Sequence, residues 1–214
     1  MSTAAEMADD LRDRLNDVGD TQVSFPTKLR FLNRGQAAMY PKIFRLVRDS
    51  TLVVLDDEFE YTFPAGVGTG KVISVEVETD AGSYRYQPLQ RYDVIPSITA
   101  PILSLIDLDT PPVGAHFRIT TADRLVPFVA VDYSASAAVS YTGPAGTEEL
   151  PVLYAMSLAT ARPLDDKMVY DRMAATQQGG AIGPNDIMQV SQFWMAQFEM
   201  LLERMAMPLP VARN

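Results

Sequence analysis

The hydrophobic period changes twice along this 214-residue chain. It is helical near the N-terminus, alternates in the middle and returns to helical near the end. A period of 3.6 builds an amphipathic helix and a period of two builds a half-buried strand, and neither pattern settles in the other's geometry. This restricts the chain to an α+β fold: a helical layer made by both ends of the chain, with an antiparallel β-rich subdomain, a sandwich or small barrel, inserted between them. The expected segments are N-terminal helices over 1–49, the β-rich insertion over 50–146, C-terminal helices over 147–207 and an extended arm over 208–214.

In the first segment Met7, Leu11, Leu15 and Val18 share one stripe, and Gly19 follows as a stop. A second stripe begins at Pro26, a favoured first-turn residue, and runs through Leu29, Leu32, Met39, Ile43 and Val47. Pro41 predicts a kink there or two helices abutting at Tyr40-Pro41. From Ser50 the alternation predicts about six or seven short strands. They are 51–55 and 58–63 as a hairpin around Asp56-Asp57, 71–78, a strand starting at 84–86 after the turn at 79–82, 117–120, 125–133 and 137–141. Residues 93–114, apolar and carrying Pro96, Pro101, Pro111 and Pro112, fit neither period. They read as a contact loop or as an irregular edge strand packed on its own domain.

Helical signals return at Thr147, with Leu150, Leu153, Tyr154, Ser157 and Ala161 on one face, and Pro163 is read as the stop. A short helix over 165–173 and a glycine-rich hinge over 177–183 are expected next. The last helix opens at Pro184, Asn185 and Asp186 and ends before Pro208, a length of about 20 residues or 30 Å. Ile187, Val190, Trp194, Phe198, Leu201 and Met205 form its stripe, which is expected to be buried. Met195 and Met200 lie off that stripe, so the helix is expected to contact two neighbours, one of them another subunit.

Composition narrows the function. The absence of cysteine removes disulfides and thiolate metal sites and fits a reducing cytoplasm. No signal peptide is recognised, and no apolar run approaches the roughly 20 residues of a membrane span, so a soluble protein is expected. A net charge of −9 opposes general binding to phosphate chains. The charge is also segregated. Residues 27–48 hold Lys28, Arg30, Arg34, Lys42, Arg45 and Arg48 without an acid, whereas residues 1–22 are rich in Asp and Glu. These are either two helix faces that attract each other or a docking surface.

Catalytic chemistry finds little support. The stretch from Ala65 to Val72 resembles a phosphate loop, but its first position is alanine, valine follows Lys71 and a strand comes next where a helix should start. His116 is alone, and no nucleophile motif accompanies it. Asp56-Asp57 and Asp165-Asp166 lack the spacing of a calcium loop. The expectation is no enzyme, no cofactor, no metal site and no catalytic residue.

Three stretches together carry a resemblance. They are Leu11-Arg12-Asp13-Arg14-Leu15 with Phe31-Leu32-Asn33-Arg34-Gly35-Gln36-Ala37-Ala38-Met39-Tyr40, then Glu58-Phe59-Glu60-Tyr61-Thr62-Phe63-Pro64-Ala65-Gly66, and finally Trp194 to Leu202 with Met207-Pro208-Leu209-Pro210. In this order they resemble the head-to-tail connector (neck adaptor) proteins of tailed bacteriophages, over nearly the whole chain, through the Leu-Asn-x-x-Gln core, the acid-aromatic hairpin and the last helix with its tail. The resemblance implies a structural virion protein assembled in the host cytoplasm. It would form a ring, commonly twelvefold, beneath the portal protein, with a downstream neck or tail protein on the other side. DNA would pass through the lumen without sequence-specific binding, and no membrane would be involved. Expected interface residues are Lys28, Arg30, Arg34, Ile102, Leu103, Leu105, Met195, Met200, Pro208, Leu209 and Pro210. A tail terminator, tail-completion or baseplate protein is the alternative. A carbohydrate-binding β module using Tyr84, Tyr86 and Tyr92 is a more distant one.

Overall fold

The computed structural model describes residues 2–17, 19–20, 22–64, 71–97, 100–106, 111–129, 139–165 and 183–208, the side chains of 163–165 excepted. The chain divides into two compact units. One comprises Met1–Phe44 with Arg124–Met207, and the other comprises Arg45–Asp123 with Pro208. The chain leaves the helical unit at residue 44 and re-enters it at 124, against the 50 and 146 read from the alternation.

In the helical unit, α1 (Ala4–Leu15) starts at a capping box: the Glu6 N–H donates to the Thr3 hydroxyl and the Thr3 N–H donates to the Glu6 carboxylate. Asn16, left-handed at φ 52°, closes it. The second helix, α2 (Phe25–Met39), carries Pro26 in its first turn and ends where Tyr40 turns extended before Pro41, with the Tyr40-Pro41 peptide cis. The stripe therefore stops at Met39. Val47, read as helical because it lies four residues after Ile43, instead belongs to β1 (Arg45–Asp49), where exposure alternates. A spacing of four satisfies both periods, so Pro41 decided the matter.

α3 (Glu149–Asp165) is the central helix of this unit, and both α2 and α4 (Pro184–Met205) pack on it. Leu150, Val152, Leu153, Ala155, Met156 and Ala159 are all buried in a core that also takes Leu11, Leu32, Met39, Phe198 and Leu202. α2 and α3 come close together at Gly35. A Cβ there would lie 2.8 Å from both Cα and O of Pro151 and 3.2 Å from Cβ of Tyr154, so only glycine lets the two backbones come this near. Pro163 lies within α3 rather than ending it. The expected helix over 165–173 and the hinge over 177–183 fall outside the described residues, apart from Asp165 at the end of α3 and Gly183, the residue before α4.

Among the described residues the second unit holds seven antiparallel strands, numbered on from β1: β2 (Glu60–Thr62), β3 (Lys71–Glu78), β4 (Tyr86–Pro88), β5 (Tyr92–Ile95), β6 (Ile102–Leu105) and β7 (Phe117–Asp123). They form two sheets, of order β1-β7-β3-β4 and β2-β6-β5. Val75, Val77, Phe117 and Ile119 from the first sheet and Tyr61, Leu103 and Leu105 from the second close one core between them. Tyr61 meets Phe117 edge-on at 5.0 Å. Among the described residues this is a pair of facing sheets and not a closed barrel.

Three strand expectations change. Residues 51–55 and 58–63 turn at Asp57 (φ 55°) but do not pair with each other. β2 pairs β6, Val53 bridges His116, and the Tyr61 hydroxyl donates to the carbonyls of Leu55 and Glu58. The loop reading of 93–114 gives way to β5 and β6, because Leu103 and Leu105 alternate inward once β2 and β5 flank them. Of the strands expected over 125–133 and 137–141, residues 130–133 and 137–138 lie outside the described residues, 125–129 form no strand, and 139–141 contribute only the Ser140 bridge to Thr3.

Candidate functional site

Several polar groups that could suggest chemistry are occupied structurally, whereas the buried side chains of Gln36 and Asp123 make no hydrogen bond to any described residue. Glu78, fully buried, accepts from the backbone N–H groups of Gly82, Tyr84 and His116 at 3.0 to 3.3 Å. Burial by itself would raise its pKa, but these donors outweigh it and hold the carboxyl below its usual range. The His116 ring lies 3.0 Å from the Ser50 carbonyl. Arg118 binds Glu76 at 2.6 Å and stacks over Tyr86 at 4.1 Å, and Tyr92 packs against the core. Of the three tyrosines weighed for a sugar platform, only Tyr84 stands free, at 82% exposure. Residues 65–70 of the phosphate-loop resemblance lie outside the described residues, and Lys71 opens β3. Among the described residues no cluster of His, Asp or Glu could hold a metal, and no helix is long and apolar enough to cross a membrane.

The charge segregation resolves into structure at one end. Lys28 is buried, its ammonium 3.2 Å from Asp17 and in contact with Asp20. It is thus no surface group, and it leaves the interface set. Asp17 in turn accepts from the N–H groups of Gln22 and Val23 at 2.8 and 2.9 Å. Desolvation pushes its pKa up, and these donors with Lys28 more than reverse this, leaving it below the usual carboxylate range.

Arg30 and Arg34 are exposed one turn apart on α2. They rim a groove of about 390 Å³ whose walls are Pro26, Leu29, Asn33, Ala37 and Phe128. Asn33 builds this groove: its amide donates to the Phe128 carbonyl at 2.9 Å and accepts from the Phe128 N–H at 2.7 Å, as a neighbouring strand would. The Leu-Asn-x-x-Gln core thus has a physical meaning. Leu32 and Gln36 are buried, Asn33 pins the segment after β7, and Gly35 admits α3.

On α4 the buried face is Ile187, Phe198 and Leu202, with Phe198 edge-on to Tyr154 at 5.2 Å. Val190 is 46% exposed, and Trp194 and Leu201 are only partly buried, so the expected stripe is rotated toward Phe198 and Leu202. Met195 packs against the core, whereas Phe193 and Met200 are 53% and 61% exposed. Met200 also lines a second groove, of about 600 Å³, with Tyr40, Pro41, Lys42, Glu199 and Glu203. Of the remaining expected interface residues, Leu103 and Leu105 are buried between the sheets and so offer no surface, and Ile102 is partly buried. Pro208 is exposed, and Leu209 and Pro210 lie outside the described residues. Sequence reasoning did not single out Phe128 or Glu199: the first fell within the strand expected over 125–133 and the second within the last helix, and their part in the grooves depends on partners distant in sequence.

Comparison with known proteins gives three findings. No curated protein matches. Solved structures with similarity include the neck of an empty gene transfer agent particle computed with C6 symmetry, at 18% identity over 91% of this chain and 92% of that one, TM-score 0.32. The neck of the native particle computed with C12 symmetry is similar at 19% identity over 91% of each chain, TM-score 0.29. Third, and independently of those likenesses, the family model described as SU10 adaptor protein matches residues 2–211. That match takes in both helical segments, the two-sheet insertion and the faces of α2 and α4, and the chain belongs to the SU10 adaptor protein family.

Proposed function

We propose that this chain is a structural head-to-tail adaptor of a virion neck, joining a DNA-filled head to a tail and carrying out no reaction of its own. The match of the adaptor family to residues 2–211 carries this reading. Two observations support it: Glu78 and Asp17, both buried, serve as a turn cap and an ion-pair partner, and Met188, Val190, Phe193 and Met200 expose apolar surface on the outer side of α4, suited to protein contact. Several copies form a ring under the portal protein, twelve by the resemblance, and the arm over 208–214 adds contacts to a neighbour. With −9 per copy, the acidic ring repels the DNA that passes through and lets it slide.

The test is assembly without the chain. Particles made in its absence should fill their heads yet fail to join tails, and adding the purified chain should restore joining. Normal joining in its absence refutes the proposal.

A further inference from the structure

The outward faces of α2 and α4 differ in charge. The α2 face is concave. Pro26, Leu29, Ala37 and Phe128 make its apolar wall and Arg30 and Arg34 its rim. No acid occurs in residues 24–48 to neutralise that rim. On α4, Phe193, Ala196, Met200 and Glu203 recur at spacings of three and four, all exposed, with Glu199 beside them, and this row forms a ridge along the helix whose flank toward Tyr40, Pro41 and Lys42 lines the second groove. Both helices turn their buried faces to α3, so ridge and groove face away from the core.

Resting on the adaptor reading, we infer that the α4 ridge of one copy seats in the α2 groove of the next, with Phe193 and Met200 against the exposed Pro26 and Ala37, over a floor made by the buried Leu29 and Phe128, and with Glu199 and Glu203 meeting Arg30 and Arg34. Charge complementarity selects a second copy as the occupant. The groove offers two guanidinium groups with no ion pair to a described residue, and the ridge offers Glu199, likewise without one, next to Glu203, which holds Lys42 at its edge. The basic neighbour, Arg204, lies in the last turn of the helix. Used once per pair of copies, a contact between unlike faces is head-to-tail, the kind that closes into a ring when the rotation allows.

The cysteine-free sequence makes a clean trap. Two variants are prepared, Ala37→Cys in the groove and Ala196→Cys on the ridge, both at exposed positions. Under mild oxidation each alone should stay monomeric, while their mixture should give a disulfide-linked dimer. Adding Arg30→Glu and Arg34→Glu to the groove variant should cut the mixed dimer on the order of tenfold, and adding Glu199→Arg and Glu203→Arg to the ridge variant should restore it. Dimers from Ala196→Cys alone, no mixed dimer, or no rescue by the reversed pair each overturn the inference. Tail joining is measured separately on particles. Absent mixed dimers with joining intact remove this contact alone, whereas lost dependence of joining on the chain removes the adaptor reading.

Discussion

Gly35→Ala should destabilise the helical unit even though helix propensity favours the change. In an exposed helix interior, glycine to alanine gains about 1 kcal/mol. Here the new methyl would sit 2.8 Å from two backbone atoms of Pro151, against the roughly 3.5 Å at which carbon atoms pack without repulsion. Neither atom belongs to a side chain that can rotate away, so α2 and α3 must separate by about 0.7 Å, and the packing of Leu32 and Leu150 loosens with them. Overpacking of this kind costs about 1–3 kcal/mol, and a backbone obstruction places it at the upper end. The net expectation is a loss of about 2 kcal/mol. Trp194, the only tryptophan, packs against this core, so its fluorescence in a urea titration reports the helical unit. A midpoint unchanged or raised by Gly35→Ala would show that α2 and α3 do not approach each other this closely.

Lys28→Ala should cost about 3 kcal/mol in the same assay, since it leaves Asp17 buried without its cation, and a loss below about 1 kcal/mol would mean the pair is solvated. Phe198→Ala should cost about 3–5 kcal/mol, and the half-buried Trp194→Ala less than about 3, so a reversed order, read by far-ultraviolet circular dichroism, contradicts the rotated face. In acid, Asp17 and Glu78 have folded pKa values below their unfolded ones, so the unfolded chain binds protons first. Stability should hold above about pH 4 and fall as pH drops further, which thermal melts from pH 6 to 2 would check. In alkali the opposite sign applies: burial, against the Thr147 hydrogen bond, raises the Tyr141 phenol to about 12, so its contribution is intact below pH 10 and lost toward 12. Tyr141→Phe should flatten that alkaline decline.

The two ends of the chain were legible for a local reason. A stripe such as Met7 and Leu11, a proline in the first turn and an alternation such as 71–78 encode an element within a dozen residues, and the helices and β3 follow them. The site was half legible in the same way. Arg30, Arg34 and Met200 stand out by charge or by position off a stripe, and the structure leaves all three exposed.

Long-range pairing decided the rest. Residues 102–105 look like a loose apolar run until β2 and β5 flank them, and then Leu103 turns inward. Lys28 looks like one more surface cation until Asp17 and Asp20, eight and more positions earlier, fold over it. The groove depends on Asn33 reaching Phe128 across 95 residues of sequence. Amphipathic period is a property of neighbours along the chain, so the sequence alone determined which segments could be helix or strand. Burial of a charge, the face a strand turns to its core and the shape of a groove depend on partners that only the folded chain brings together.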